Sequence, residues 1–203
     1  MILITWPENL KGEHEFLNLL FEEGLKILHV RKPGISGKDL RAFLQGIRYE
    51  YHGRIMLHQG FDLMQEFFCR GIHFSGQSKR QYKKYLNIAG FKSWPVHGIE
   101  EIAGVPDGMD YIMLSPVFPS ISKDDYQNYW EPGEPERHLK ENKRPMFKYI
   151  ALGGIDANTA PKALELGFDD FAVLGALWVP FICGRNSGEL LQLFRKLDAF
   201  SKR

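Results

Sequence analysis

The 203-residue chain is 44% hydrophobic and 25% charged, ordinary proportions for one well-cored domain spanning 1–203. Its net charge of +1 gives no general attraction to nucleic acid or an anionic membrane, so any anion site must be local. No window approaches the roughly 20 apolar residues of a membrane span. The N-terminal MILITW offers no basic leader, and Cys69 and Cys183 stand in no metal-like spacing, so a cytoplasmic protein with two unpaired thiols is expected.

In chain order, Ile2 to Trp6 reads as a first strand ended by Pro7. Glu13 to Glu23 groups Phe16, Leu17, Leu20 and Phe21 on a helical face, with Gly24 as its stop. Ile27 to Val30 is strand two, and Ser36 with Asp39 resembles a capping box opening a helix that carries Leu40, Phe43, Leu44 and Ile47. Arg54 to His58 is strand three, followed by a helix around Leu63, Met64, Phe67 and Phe68. Gly71 to Ser75 is strand four and Gln81 to Leu86 a short helix. Phe91 to Val96 is strand five, which Pro95 is expected to end or distort, and Ile99 to Ala103 is a helical stub.

Tyr111 to Leu114 is strand six, breaking at Ser115-Pro116 into a loop with Ser120, Ser122 and Lys123. Two hydroxyls and an ammonium make a seat for a phosphate or diphosphate, unless they are simply a polar surface loop. A polar, aromatic segment follows, then a charged helix near Glu136 to Asn142. Met146 to Leu152 is strand seven, turning at Gly153-Gly154 into a helix from Asn158 to Leu166. Phe171 to Leu174 is strand eight, turning at Gly175, and Gly188 to Phe200 is the last helix.

Eight strand–helix alternations with short connections predict a (β/α)8 TIM barrel. The rival is a doubly wound open sheet, which would carry a glycine-rich turn after strand one, where Pro7-Glu8-Asn9 stand instead. In a barrel the loops after the strands carry the chemistry. Gly153, Gly154, Gly175 and Ala176 fall where backbone amides hold a phosphate, or else form plain tight turns. His97, just past strand five, is the natural general acid/base. His29 lies within strand two and His73 within strand four, the latter read as structural. Arg31 and Lys32 offer an anion clamp, or an exposed basic turn before Pro33.

These landmarks resemble the thiamine phosphate synthase family, including its thiazole tautomerase branch. They are ILHVRK at 27–32, IMLHQGFDL at 55–63, GIHF at 71–74, VHGIEE at 96–101, DYIMLSPVFPSISK at 110–123, IALGGI at 150–155 and AVLGAL at 172–177. The resemblance implies a (β/α)8 barrel acting on a small thiazole phosphate, with no nucleic-acid or membrane partner. The phosphate would sit on loops seven and eight. A pyrimidine diphosphate would sit around Ser120, Ser122 and Lys123. His29, Arg31, His58 and Gln59 are further candidate substrate-binding residues, with His29 alternatively a satisfied core histidine and the role of His58 open.

The departures from the pattern bear on the reaction. The family's synthases carry Asn-Asp-Arg after strand three, where this chain has His58-Gln59-Gly60. They carry an aspartate shortly after Gly-Gln beyond strand four, where Ser78-Lys79 stand here. Those two aspartates are the family's magnesium ligands. The synthase reading therefore implies Mg2+, while the tautomerase reading needs no cofactor and no metal, only His97 as acid/base. A non-catalytic sensor of a thiamine intermediate is the reading from another class. A homo-oligomer is also allowed, with Trp130 and the aromatics of 126–130 as interface or lid.

Overall fold

Short apolar runs of Ile, Leu and Val are satisfied when a parallel sheet is covered on both faces. The computed structural model gives these runs that setting; it describes residues 1–119, 133–141 and 143–201. The order is β1 Ile2–Ile4, α1 Glu13–Glu22, β2 Ile27–Val30, α2 Gly37–Gln45, β3 Ile55–Leu57, α3 Leu63–Glu66, β4 Gly71–His73, α4 Gly76–Arg80 and β5 Phe91–Val96. It continues with β6 Tyr111–Leu114, α5 Glu134–Glu141, β7 Lys148–Ala151, α6 Ala160–Glu165, β8 Asp170–Val173, α7 Gly175–Ile182 and α8 Ser187–Asp198. The strands pair in chain order and close as a barrel, the (β/α)8 architecture expected. By its contacts the chain resolves into two compact units, Ile2–Lys92 and Ser93–Arg203 with Met1.

Within Ile2–Lys92 the parallel register runs Ile2↔Ile27, Leu28↔Ile55 and Met56↔Gly71. Leu3, Leu28, Ile55, Leu57 and Ile72 are fully buried in it. The predicted cap of α2 forms: Ser36 Oγ accepts from the Asp39 N–H at 3.1 Å and donates to the Asp39 carboxylate at 2.7 Å. Within Ser93–Arg203, Ser93↔Tyr111, Tyr111↔Lys148 and Ile150↔Asp170 set the register. Tyr149, Phe168, Phe171 and Trp178 fill the interior of this unit. Cys69 is buried and Cys183 exposed, both as free thiols, and burial pushes the Cys69 thiol up to about 12. Among the described residues no helix is long and apolar enough to cross a membrane.

Three expectations are corrected. Pro95 neither ends nor splits β5, since it stays in register with Met113; a proline forfeits one N–H and leaves the rest of a ladder intact. The short helix after β4 begins earlier, at Gly76, and gives way to a 3₁₀ turn at Tyr82–Tyr85. Gly175 opens the eight-residue helix α7 instead of a simple turn. Its sequence GALWVPFI is apolar on every side, so no helical period marks it, and Pro180 lies within it.

Candidate active site

In Ser93–Arg203 the β6 loop connects the predicted groups. His97 follows β5 with its side chain exposed. Its Nδ1 lies 3.2 Å from the Ser115 carbonyl oxygen and 3.3 Å from Ser115 Oγ. A carbonyl only accepts, so the proton of a neutral ring belongs on Nδ1 and the lone pair on Nε2. Ser115, not singled out from the sequence, therefore fixes which nitrogen can take a proton. From Ser115 the chain passes through a cis peptide into Pro116.

On its other side the β6 loop lies against the turn after β7. The Val117 N–H donates to the Leu152 carbonyl at 2.9 Å and the Phe118 N–H to that of Gly153 at 3.2 Å. Gly153 and Gly154 both have positive φ, 94° and 62°. A Cβ at Gly153 would fall 2.7 Å from Pro116 Cα, and one at Gly154 2.4 Å from the Pro119 carbonyl oxygen. The paired glycines are thus required twice, by backbone conformation and by the approach of the β6 loop. Thr159 Oγ1 donates to the Gly154 carbonyl at 2.8 Å, and the Asp156 carboxylate accepts from the Asn158 and Thr159 N–H groups at 2.7 and 2.9 Å. Gly175 and Ala176 are the first residues of α7, whose leading N–H groups have no preceding turn to donate to. Ser120, Ser122 and Lys123 lie outside the described residues, as do Trp130 and the 126–130 segment.

In Ile2–Lys92 the predicted residues separate. Arg31 is exposed, its N–H donating to Thr5 Oγ1 at 2.9 Å while Thr5 Oγ1 donates to its carbonyl at 3.0 Å. Lys32 is not an anion clamp. It is buried, its ammonium donating to both Glu13 oxygens at 2.7 Å and to the Glu8 carbonyl at 2.8 Å. Burial pulls its pKa down, with Glu13 pulling the other way. The Gln59 side-chain amide donates to the Lys32 carbonyl.

His29 and His58 are brought together with His73. His29 Nδ1 and His58 Nε2 are 2.9 Å apart, and the His58 and His73 ring centres 4.2 Å. All three are buried. Burial, then His73, holds His29 well below its ordinary pKa; burial, then His73, His29 and Arg31, does the same to His58. Register explains the gathering. His29 pairs with Met56, Met56 pairs with Gly71, and His58 and His73 each lie two residues further along, on the same face of the sheet.

The residues do not suit a magnesium ion at the positions where the family pattern places one. Magnesium takes hard oxygen ligands, mainly carboxylates. Gln59 offers one neutral oxygen, and Ser78 Oγ already accepts from the Ser75 N–H at 2.9 Å and donates to the Ser75 carbonyl at 2.8 Å. Among the described residues, the grouping of three or more metal-ligating side chains is His29, His58 and His73, without a carboxylate.

The chain is similar to known proteins along most of its length. The thiamine-phosphate synthase of Geobacillus thermodenitrificans is 27% identical over 172 residues, 80% of this chain and 76% of that protein. That of Chlamydia caviae is 23% identical over 206 residues, 97% of this chain and 93% of that protein. The crystal structure of a thiamine phosphate pyrophosphorylase from Bacteroides thetaiotaomicron matches with a TM-score of 0.82 at 30% identity, covering 98% of this chain and 96% of that one. A second, from Pyrococcus furiosus, matches at 0.72 with 17% identity, covering 98% and 93%, and speaks for the fold alone. The thiamine monophosphate synthase family model matches residues 1–177, and the chain belongs to that family.

Proposed function

We propose that the protein acts on a thiazole phosphate as a tautomerase, moving a proton within a thiazole phosphate carboxylate so that the ring becomes aromatic. The observation that carries this reading is the donor set where magnesium acids would stand: a Gln59 amide turned to a backbone carbonyl and a Ser78 hydroxyl closed on Ser75. Diphosphate departure develops negative charge that a divalent cation normally neutralises. A proton shift within one ring needs only a positioned base.

His97 takes the proton on Nε2 while its Nδ1–H stays on the Ser115 carbonyl. It then returns the proton to a neighbouring position of the same ring, so no net charge or atom is gained. The phosphate rests on the turn after β7 and on the leading N–H groups of α7, where glycine lets an anion approach backbone closely. Purified protein should aromatise the thiazole phosphate carboxylate, followed by ultraviolet absorption, and His97→Asn should lower the rate about 100-fold or more. Wild-type turnover no faster than buffer would sink the reading.

The similarity to thiamine-phosphate synthases favours a second reading, a thiamine phosphate synthase joining a hydroxymethylpyrimidine diphosphate to the thiazole phosphate, with Ser120, Ser122 and Lys123 at the diphosphate. It requires magnesium-dependent formation of thiamine phosphate from the two halves. If neither product forms and the thiazole phosphate only raises the melting temperature, the chain is a sensor.

A further inference from the structure

We propose that His29, His58 and His73 form a three-imidazole site for a divalent transition-metal ion of the zinc type, distinct from any magnesium site of the diphosphate reaction. The three come from adjacent parallel strands, at the middle of β2, just beyond β3 and at the end of β4. One ligand atom from each lies within 4.8 Å of the others. Tetrahedral zinc with Zn–N bonds of about 2.05 Å separates its ligand nitrogens by about 3.4 Å. The His29–His58 separation of 2.9 Å must open slightly and the longer separations must close. Small ring rotations achieve both, because the anchoring strands are already side by side.

The chemistry of the set selects the ion. Three neutral nitrogen donors without a carboxylate suit zinc, cobalt, nickel or copper and do not suit magnesium or calcium. The rings are 0%, 7% and 4% exposed for His29, His58 and His73, so bulk water does not compete freely for the ion. Burial keeps His29 and His58 neutral, while their mutual hydrogen bond needs an N–H on one of the two facing nitrogens, so binding through both moves that ring's proton to its other nitrogen. Three protein ligands leave a fourth tetrahedral position for water or an anionic oxygen. A hydrogen-bonded imidazole pair accounts for the His29–His58 contact alone. The third imidazole has its ring centre 4.2 Å from that of His58, tilted by 32°, and 5.3 Å from that of His29, edge to face.

The test uses the full chain with no polyhistidine tag, stripped with a chelator and then titrated with Zn2+ or Co2+ against a chromophoric competitor. One ion per chain is expected, with a tetrahedral cobalt absorption band, and X-ray absorption of the zinc form should show a shell containing three imidazole nitrogens. His58→Gln and His73→Asn should each weaken binding by more than the roughly 10–100-fold that loss of a ligand-orienting partner costs. His14→Gln, on α1 with its ring Nε2 2.9 Å from the Phe43 carbonyl oxygen, should leave it unchanged. Wild-type protein that takes up no ion at micromolar metal, or shows a shell of oxygen donors, would overturn the site; so would either variant binding as the wild type does. The absorption experiment on wild type decides even if a variant does not fold. None of these readouts depends on turnover, so failure of the proposed reaction and failure of the metal site are told apart.

Discussion

Lys32, His29 and His58 in one compact unit and His97 in the other are held in opposite ways. In Ile2–Lys92 His29, His58 and Lys32 are taken out of water: burial holds the two imidazoles well below their ordinary pKa, and Lys32 pairs with Glu13. In Ser93–Arg203 the imidazole beside the β6 loop stays exposed, tied through one nitrogen to a backbone carbonyl. The difference separates stability from turnover. A buried charge contributes to the fold only while its partner is present, because desolvation is already spent. An exposed ring contributes little to the fold and remains available to a substrate. Changes in the first unit should therefore appear as unfolding, and changes at His97 as lost rate.

The largest effect should come from Lys32→Met. It removes the ammonium and leaves the Glu13 carboxylate, 2% exposed, without its counter-charge. Breaking such a pair from one side typically costs about 3–5 kcal/mol. Urea unfolding should show a loss of that order, and adding Glu13→Leu should recover most of it, since an apolar pair of similar volume is often no worse than the ion pair. If Lys32→Met unfolds at the wild-type midpoint, the pair is not what anchors α1 to the segment after β2.

The Lys32 result also marks what the sequence conceals. Strand and helix order, the Ser36 cap and the family pattern were legible because each rests on residues close together in the chain. The hydrophobic runs of β2 and β6 and the helical face of α1 carry their own period. Arg31 and Lys32 looked alike as neighbours, yet opposite pointing sent one to solvent and the other to Glu13, which lies on α1. His73 looked structural because its companions are 44 and 15 positions away, and only the register of β2, β3 and β4 puts the three on one face. Ser115 was passed over because its role is played by a carbonyl, which side-chain chemistry does not announce. α7 was hidden by uniform apolarity.

A smaller loss should follow from Gly154→Ala in the second unit, with Gly34→Ala in the first as its counterpart. Both glycines have positive φ, 62° and 76°. An added Cβ meets the Pro119 carbonyl oxygen at 2.4 Å and Phe118 Cβ at 2.7 Å at Gly154, but nothing within 4 Å at Gly34. Backbone strain alone, of order 1–2 kcal/mol, should be what Gly34→Ala reports. Gly154→Ala should exceed it in the same urea experiment, because the β6 loop must also move. It should further weaken binding of a thiazole phosphate by calorimetry, if that turn holds the anion. Equal losses at the two positions would show that the β6 loop yields freely, and would remove close approach as the reason for the second glycine.

The smallest effect on stability should be that of His97→Asn. The ring is exposed, and its polar contacts are the Ser115 carbonyl at 3.2 Å and hydroxyl at 3.3 Å. The asparagine amide can still donate to the carbonyl, so no buried acceptor is orphaned. Unfolding free energy should change by no more than about 0.5 kcal/mol, the usual range for a surface position without a special contact. Asparagine has no nitrogen lone pair that accepts a proton near neutral pH, so any rate that needs the Nε2 base should fall while the unfolding curve stays in place. That combination distinguishes a chemical role from a packing role. A loss of stability comparable to that of Gly154→Ala would instead make His97 a strut of the β6 loop and erase the contrast between the two units.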